Sequence, residues 1–331
     1  SRSTAASGKG GRACPTRSRR RSSRCEIVKK AQRESFSLFG QEVARWKREK
    51  QRAGEANSTI EKKSSRRRTI AHPLHSTSTS PLPLLVSSLF LLPLQTSTFT
   101  FKDTAQLIAY QEGRYGSYEY GRYGNPTTRT AEEKIRVLEA AEDCLVSSSG
   151  MNAATTMLLA LVPAGGHIVT TTDCYRRTRQ FIQTVLPKMG IGATVIDPSD
   201  LGALERALKE HKVSLFFSES PTNPYLRCVD VGAIKALCEP SGCLVAIDST
   251  FATPINQRAC CLGADLVLHS GTKYLAGHND VLVGAIAGRA EPVAAVRAMH
   301  NVLGGTVDPH AAWLLLRGLK TLVRFCFSFS L

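Results

Sequence analysis

The 331-residue sequence predicts an α/β protein built on a mostly parallel sheet covered by helices. Two observations carry that expectation. From residue 101 onward short apolar runs alternate with stretches of helical spacing, and the runs are apolar on both faces. A strand that buries both faces is what a parallel sheet between helical layers requires.

Residues 127–143 set Ala131, Ile135, Leu138 and Ala141 at helical spacing with charges between them. Residues 151–161 are apolar nearly all round, as a buried helix is. Runs at 167–171, 193–196, 214–217, 244–247, 266–268 and 282–287 read as strands. Helical stretches at 176–189, 199–211, 231–238 and 256–262 separate most of them. Ser199 and Asp200 suit the cap of a helix that would bury Leu201, Leu204, Ala207 and Leu208.

The formal net charge of +16 suggests nucleic acid until it is mapped along the chain. Residues 1–72 hold 21 Lys+Arg against 6 Glu, a net of +15, which leaves a net of +1 for residues 73–331. The globular part is therefore neutral, and no aromatic-interleaved or helix-turn-helix pattern accompanies the basic segment, so specific nucleic-acid binding is not expected. Residues 1–72 read as disordered, with a helix allowed at 36–51. A plastid or mitochondrial transit segment, a nucleic-acid arm, a solvated tail without a role and mistranslated sequence all stay open for it; six glutamates argue against a clean transit peptide. Ten cysteines carry no CxxC pair and no zinc-site spacing, so free or buried thiols are expected and no metal site. The apolar stretch within 81–94 is broken by Pro83, Pro93 and two serines, too short to span a bilayer.

The chemistry concentrates in residues 264–278, ADLVLHSGTKYLAGH. Lys273 stands just beyond an apolar strand, within three residues of the hydroxyls of Ser270 and Thr272. A lysine that can lose its proton forms an imine with an aldehyde cofactor, and the hydroxyls suit a phosphate. Upstream, LVAIDSTFATP ends another strand on Asp248, the carboxylate a pyridinium nitrogen needs. Gly150 and Met151, in SSSGMNAA, open a helix whose free N–H groups favour an anion, and the glycine lets the backbone come close. The set points to pyridoxal 5'-phosphate. Each residue also has a plainer reading: a surface lysine, a turn aspartate, a structural Tyr175, a strand-ending turn around Asn223 in SESPTNP. Tyr175 stacked on the cofactor ring and Asn223 donating to its oxygen are the functional alternatives. The loop 118–127, YEYGRYGNPT, offers an arginine fork for phosphate or simply a packed aromatic loop. Asp248 and Lys273 both fall at carboxyl ends of strands, where such sheets bind ligands, and so read as one site.

The motifs EYGRYGNPT, SSSGMNA, DCYRRT, ESPTNP, AIDSTFATP and HSGTKYLAGHND stand in an order and spacing that resemble the cystathionine γ-synthase and γ-lyase family of Cys/Met-metabolism enzymes, over about residues 96–322. TTTDCYRRT, LPKMGI, VIDPSD and ATPINQ look like the plant type within it. The resemblance implies the aspartate aminotransferase-like fold of pyridoxal-phosphate enzymes (fold type I) and dimers paired into tetramers. It implies Lys273 as the Schiff-base lysine, Asp248 as partner of the ring nitrogen and Tyr175 stacked on the ring. It implies Gly150, Met151, Ser270 and Thr272 at the phosphate, Asn223 at the ring oxygen, and Tyr120 and Arg122 reaching the phosphate of a neighbouring subunit.

The activity so implied is γ-replacement, forming cystathionine from an activated homoserine (O-phosphohomoserine in plants) and cysteine, in methionine biosynthesis in the chloroplast or otherwise the cytoplasm. Amino-acid substrates and a homo-oligomer are the expected partners, with no membrane. Cystathionine γ-lyase, methionine γ-lyase and O-acylhomoserine sulfhydrylase share the motifs and stay open, as does an inactive cofactor-binding fragment. Ser249 stands where plant members usually have glycine. Residues 73–95 read as an irregular Pro/Ser/Leu-rich segment, 96–324 as the cofactor-binding large domain, incomplete at its N-terminal side, and 325–331 as a tail foreign to the family. The C-terminal domain that family members carry is expected to be largely missing.

Overall fold

The computed structural model describes residues 92–328. The expectations for residues 1–72, for a helix at 36–51, for most of 73–95 and for the last residues of the tail lie outside them.

Two helices come first among the described residues. In α1 (Thr104–Gln111) the Asp103 carboxylate accepts the Gln106 N–H. In α2 (Pro126–Glu139) Asn125 accepts the Thr127 N–H, and Pro126 occupies a first-turn position where its missing donor leaves nothing unpaired. Then follow β1 (Asp143–Ser147), α3 (Gly150–Leu161), β2 (His167–Thr171), α4 (Arg176–Thr184), β3 (Gly192–Ile196), α5 (Leu201–Glu210), β4 (Val213–Glu219), α6 (Val231–Cys238), β5 (Leu244–Asp248), the single turn α7 (Thr253–Asn256), β6 (Leu266–His269) and β7 (Gly284–Gly288). Helices α8 (Ala290–Leu303), α9 (Pro309–Leu319) and α10 (Leu322–Ser328) close the described chain.

The strands form one sheet in the order β1-β7-β6-β5-β4-β2-β3. All pairs are parallel except those made by β7, which runs antiparallel to β1 and β6. The loop 270–283 between β6 and β7 contains no crossover helix, and adjacent strands joined without one run antiparallel. Successive residues of each strand enter opposite cores. Leu215 and Phe217 of β4, Leu266 and Leu268 of β6 and Ile286 of β7 pack with Met157, Leu158, Ile182, Val293 and Val296 of α3, α4 and α8. On the other face Phe216, Val245, Ile247 and Val267 meet Leu204 and Ile234 of α5 and α6. Beside them Cys144, Val146, Ala285 and Ala287 meet Ala131 and Ile135 of α2 and Leu315 of α9.

Most of the expected elements are present, with informative departures. The helix expected over 127–143 stops at Glu139, where Ala140 turns left-handed at φ 55°, and Asp143 already begins a strand. The stretch 176–189 is not one helix, because Pro187 has no N–H to continue it and Leu186–Met189 tightens into a 3-10 turn. The stretch 256–262 is not a helix. Gln257 is extended, its amide held by the Ser220 carbonyl at 3.1 Å and the Ser249 hydroxyl at 3.2 Å, and only the 3-10 turn Cys260–Leu262 follows. Asp200 caps α5 through the Ala203 N–H as expected, whereas Ser199 donates its hydroxyl to Asp197. Helix α10 runs across the boundary expected at 324. The eight described cysteines are free. No cluster of metal-ligating side chains, and no helix long and apolar enough to cross a membrane, occurs among the described residues.

Candidate functional site

The carboxyl ends of β1, β2, β4, β5 and β6 deliver the candidate residues to one edge of the sheet. Asp248 is the last residue of β5 and is 9% exposed. Burial pushes its pKa up, while two hydrogen bonds from Thr250 pull it back. The Thr250 N–H and hydroxyl both reach Asp248 Oδ1, at 3.0 and 2.6 Å. Oδ2 has no partner among the described residues, and a cationic N–H there would offset the cost of burying the charge.

The Thr250 hydroxyl also accepts the Ser270 N–H at 2.8 Å. A continuous path therefore links Ser270, in the loop after β6, to Asp248 at the end of β5. Ser270 in turn closes on the start of α3: a Cβ on Gly150 would lie 2.8 Å from Ser270 Cβ and 2.9 Å from its Cα. Only glycine fits there. The cap of α3, Ser149, accepts the Asn152 N–H, so the donors left over in the first turn are those of Gly150 and Met151, next to Ser270. Unpaired N–H groups at a helix start beside a hydroxyl fit an anion such as a phosphate.

Lys273 lies in the same loop as Ser270, its N–H donating to the Ser270 carbonyl at 3.0 Å and its own carbonyl accepting from Gly277 at 2.8 Å. Its side chain is exposed, and the ammonium has no partner among the described residues. Thr272 departs from expectation in one respect. Its hydroxyl is engaged with the backbone of Val283, donating to the carbonyl at 3.2 Å and accepting the N–H at 2.9 Å, so it braces the 270–283 loop rather than standing free for a ligand.

Tyr175 directly precedes α4 and is 50% exposed. Met151 connects that segment to α3, because Thr178 of α4 donates its hydroxyl to Met151 Sδ at 3.6 Å. Asn223 is exposed in the loop after β4. Tyr120 and Arg122 lie in the loop between α1 and α2. Arg122 donates to the Asn301 carbonyl at 2.7 Å and lies 5.5 and 5.2 Å from the ring centres of Tyr120 and Tyr123. Both line a cavity of about 580 Å³ shared with residues 304 and 306–309, and none of the other eight candidates lines it.

Two residues of the edge were not singled out from the sequence. Thr250 is one; an aspartate followed two places later by threonine after an apolar strand is the signal that marks such a turn. Glu219 is the other. It pairs in register with Asp248 across β4 and β5, is 5% exposed, and its Oε2 has no partner. Burial and the neighbouring Asp248 push its pKa up to about 8, although the backbone N–H groups of Asn223 and Tyr175 oppose the shift. Burial and Asp248 both favour the protonated form of the Glu219 carboxyl. The folded pKa lies above the unfolded value, so the stability it confers is complete below about 4.5 and is lost as the pH rises to about 8. Glu219→Gln is expected to flatten this decline in urea unfolding measured across that range; an unchanged slope would show that Glu219 does not titrate there.

Residues 89–325 match the family described as Cys/Met metabolism PLP-dependent enzyme. The chain belongs to this family. It is 63% identical over 229 residues to cystathionine gamma-synthase 1, chloroplastic, of Nicotiana tabacum, covering 69% of this chain and 42% of the relative. It is 62% identical over 229 residues to the protein of the same name in Arabidopsis thaliana, covering 69% and 41% respectively. Among solved structures it is similar to cystathionine gamma synthase from Xanthomonas oryzae pv. oryzae in complex with cystathionine, with a TM-score of 0.65 and 33% identity, over 70% of this chain and 58% of that one. The chain spans less than half the length of the two plant relatives. Membership in the family and the likeness of fold confirm the expected class, a pyridoxal-phosphate enzyme sheet covered by helices.

Proposed function

We propose that the chain carries the cofactor-binding part of a plant-type cystathionine γ-synthase, which joins an activated homoserine, O-phosphohomoserine, to cysteine in the chloroplast. The observation that carries the reading is the hydrogen-bonded path from Asp248 through Thr250 to Ser270, which sets a buried carboxylate and an anion cradle on either side of the Lys273 loop. That donor set fits pyridoxal phosphate: an acid for a ring nitrogen, N–H and hydroxyl groups for a phosphate, an amine for the aldehyde. When bound, the cofactor supplies a sink for negative charge at the substrate α carbon.

The residues divide the work. Asp248 would keep a proton on the ring nitrogen, and Gly150, Met151 and Ser270 would bind the phosphate, with Thr272 bracing their loop. Tyr175 would cover a ring face, Asn223 would face the ring oxygen, and the Lys273 amine would move protons at the substrate α and β carbons. Tyr120 and Arg122 serve the site of a second copy in a homo-oligomer. Residues 96–324 form the cofactor-binding domain. The plant relatives are named as cystathionine synthases of the chloroplast, and this chain has the higher identity to them than to the lyase and sulfhydrylase relatives at 37–40%.

An enzyme that carries this cofactor-binding part is expected, on incubation with O-phosphohomoserine and cysteine, to form cystathionine and release phosphate. Release of ammonia and a keto acid without cystathionine would assign a lyase instead.

A further inference from the structure

Tyr175 and Asn223 come from different loops and both are exposed. Their backbone N–H groups both face the Glu219 carboxyl, and Arg227 makes a second tie, between the side chains of the two loops. The loop 222–227 is closed on itself: the Thr222 N–H donates to the Arg227 carbonyl at 2.9 Å, the Leu226 N–H to the Thr222 carbonyl at 2.8 Å, and the Arg227 N–H to the Thr222 hydroxyl at 3.1 Å. Asn223 therefore moves with Arg227. The guanidinium leaves this loop to bind Asp173 Oδ2 at 3.1 Å and Asp197 Oδ1 at 2.5 Å. Asp173 stands two residues before Tyr175, its side chain 10% exposed, and its other oxygen accepts the Thr172 hydroxyl at 3.0 Å. Asp197 follows β3 directly and is itself fixed by the N–H and hydroxyl of Ser199 at 2.9 and 2.6 Å.

We propose that Arg227 is a positioning residue of the site, whose planar fork bridges Asp173 and Asp197 and so sets the distance between the loops bearing Tyr175 and Asn223. The proposal rests on the reading of those two residues as cofactor contacts. Charge-assisted hydrogen bonds from two separate nitrogens fix direction as well as distance, which a lysine ammonium does not do. The half-exposed bond to Asp197 is the weaker arm because solvent screens it. The bond to Asp173 is the one that couples the two loops.

The experiment compares wild type, Arg227→Gln, Arg227→Lys, Asp173→Asn and the Gln/Asn double variant by titration with pyridoxal phosphate, following cofactor absorbance and its induced circular dichroism. Arg227→Gln is expected to weaken cofactor binding about tenfold, the weight of one charge-assisted hydrogen bond, and to change the induced dichroism. Arg227→Lys recovers only part of the affinity, and the double variant is no weaker than either single one. Wild-type affinity and dichroism in Arg227→Gln, or additive losses in the double variant, would overturn the proposal. Amide hydrogen exchange without cofactor separates this from the site reading: Arg227→Gln must speed exchange in both 172–176 and 222–227. If wild type takes up no pyridoxal phosphate the site reading fails, and unchanged exchange in either loop overturns the clamp on its own.

Discussion

Lys273→Ala is expected to abolish the borohydride-trappable pyridoxal adduct completely. The amine stands on the loop that also carries Ser270, and its ammonium has no partner among the described residues that would hold it away from an incoming aldehyde. Because the side chain is exposed, the substitution should leave stability within about 0.5 kcal/mol of wild type. Urea unfolding then separates loss of chemistry from loss of fold. An undiminished adduct in a folded Lys273→Ala chain would assign the imine to another lysine.

Asp248→Asn is expected to keep the fold and some cofactor but to lose nearly all exchange of the substrate α proton. An amide is close in shape to the carboxylate and still accepts the Thr250 hydrogen bonds at Oδ1. It carries no charge to hold a proton on a ring nitrogen. Groups that stabilise charge developing in a transition state contribute roughly 3–4 kcal/mol, so the exchange rate should fall by about 10²–10³-fold or more. Near-normal exchange of the α proton by deuterium NMR would remove Asp248 from that role.

The sheet was legible where strands are apolar on both faces, because that pattern has few other solutions. β1 was not, since its five residues follow directly on a helix whose end at Ala140 has no glycine to announce it. The direction of β7 depends on what the loop 270–283 does, and local periodicity carries no trace of strand direction. At the site, Lys273, Asp248, Ser270 and Gly150 were recognisable because each stands beside an apolar run or a helix start. Thr250, Glu219 and Arg227 act by touching residues up to 54 positions away, and a linear reading does not bring those partners together. The tethering of Thr272 to Val283 is likewise a tertiary fact, fixed by the return of the chain into β7.

The register of β4 on β5 places Glu219 opposite Asp248, and that of β5 on β6 places Asp248 opposite Leu268. A slip of one residue at either pair would turn side chains to the other face. The full donor set thus exists only in the native alignment, and an unfolded or misregistered chain has no comparable affinity for the ligand. Cofactor uptake is consequently a quality check on assembly: at a free concentration one hundred times Kd it would deepen the native basin by about 2.7 kcal/mol. A cell short of the cofactor would be expected to lose this protein to proteolysis as well as to inactivity.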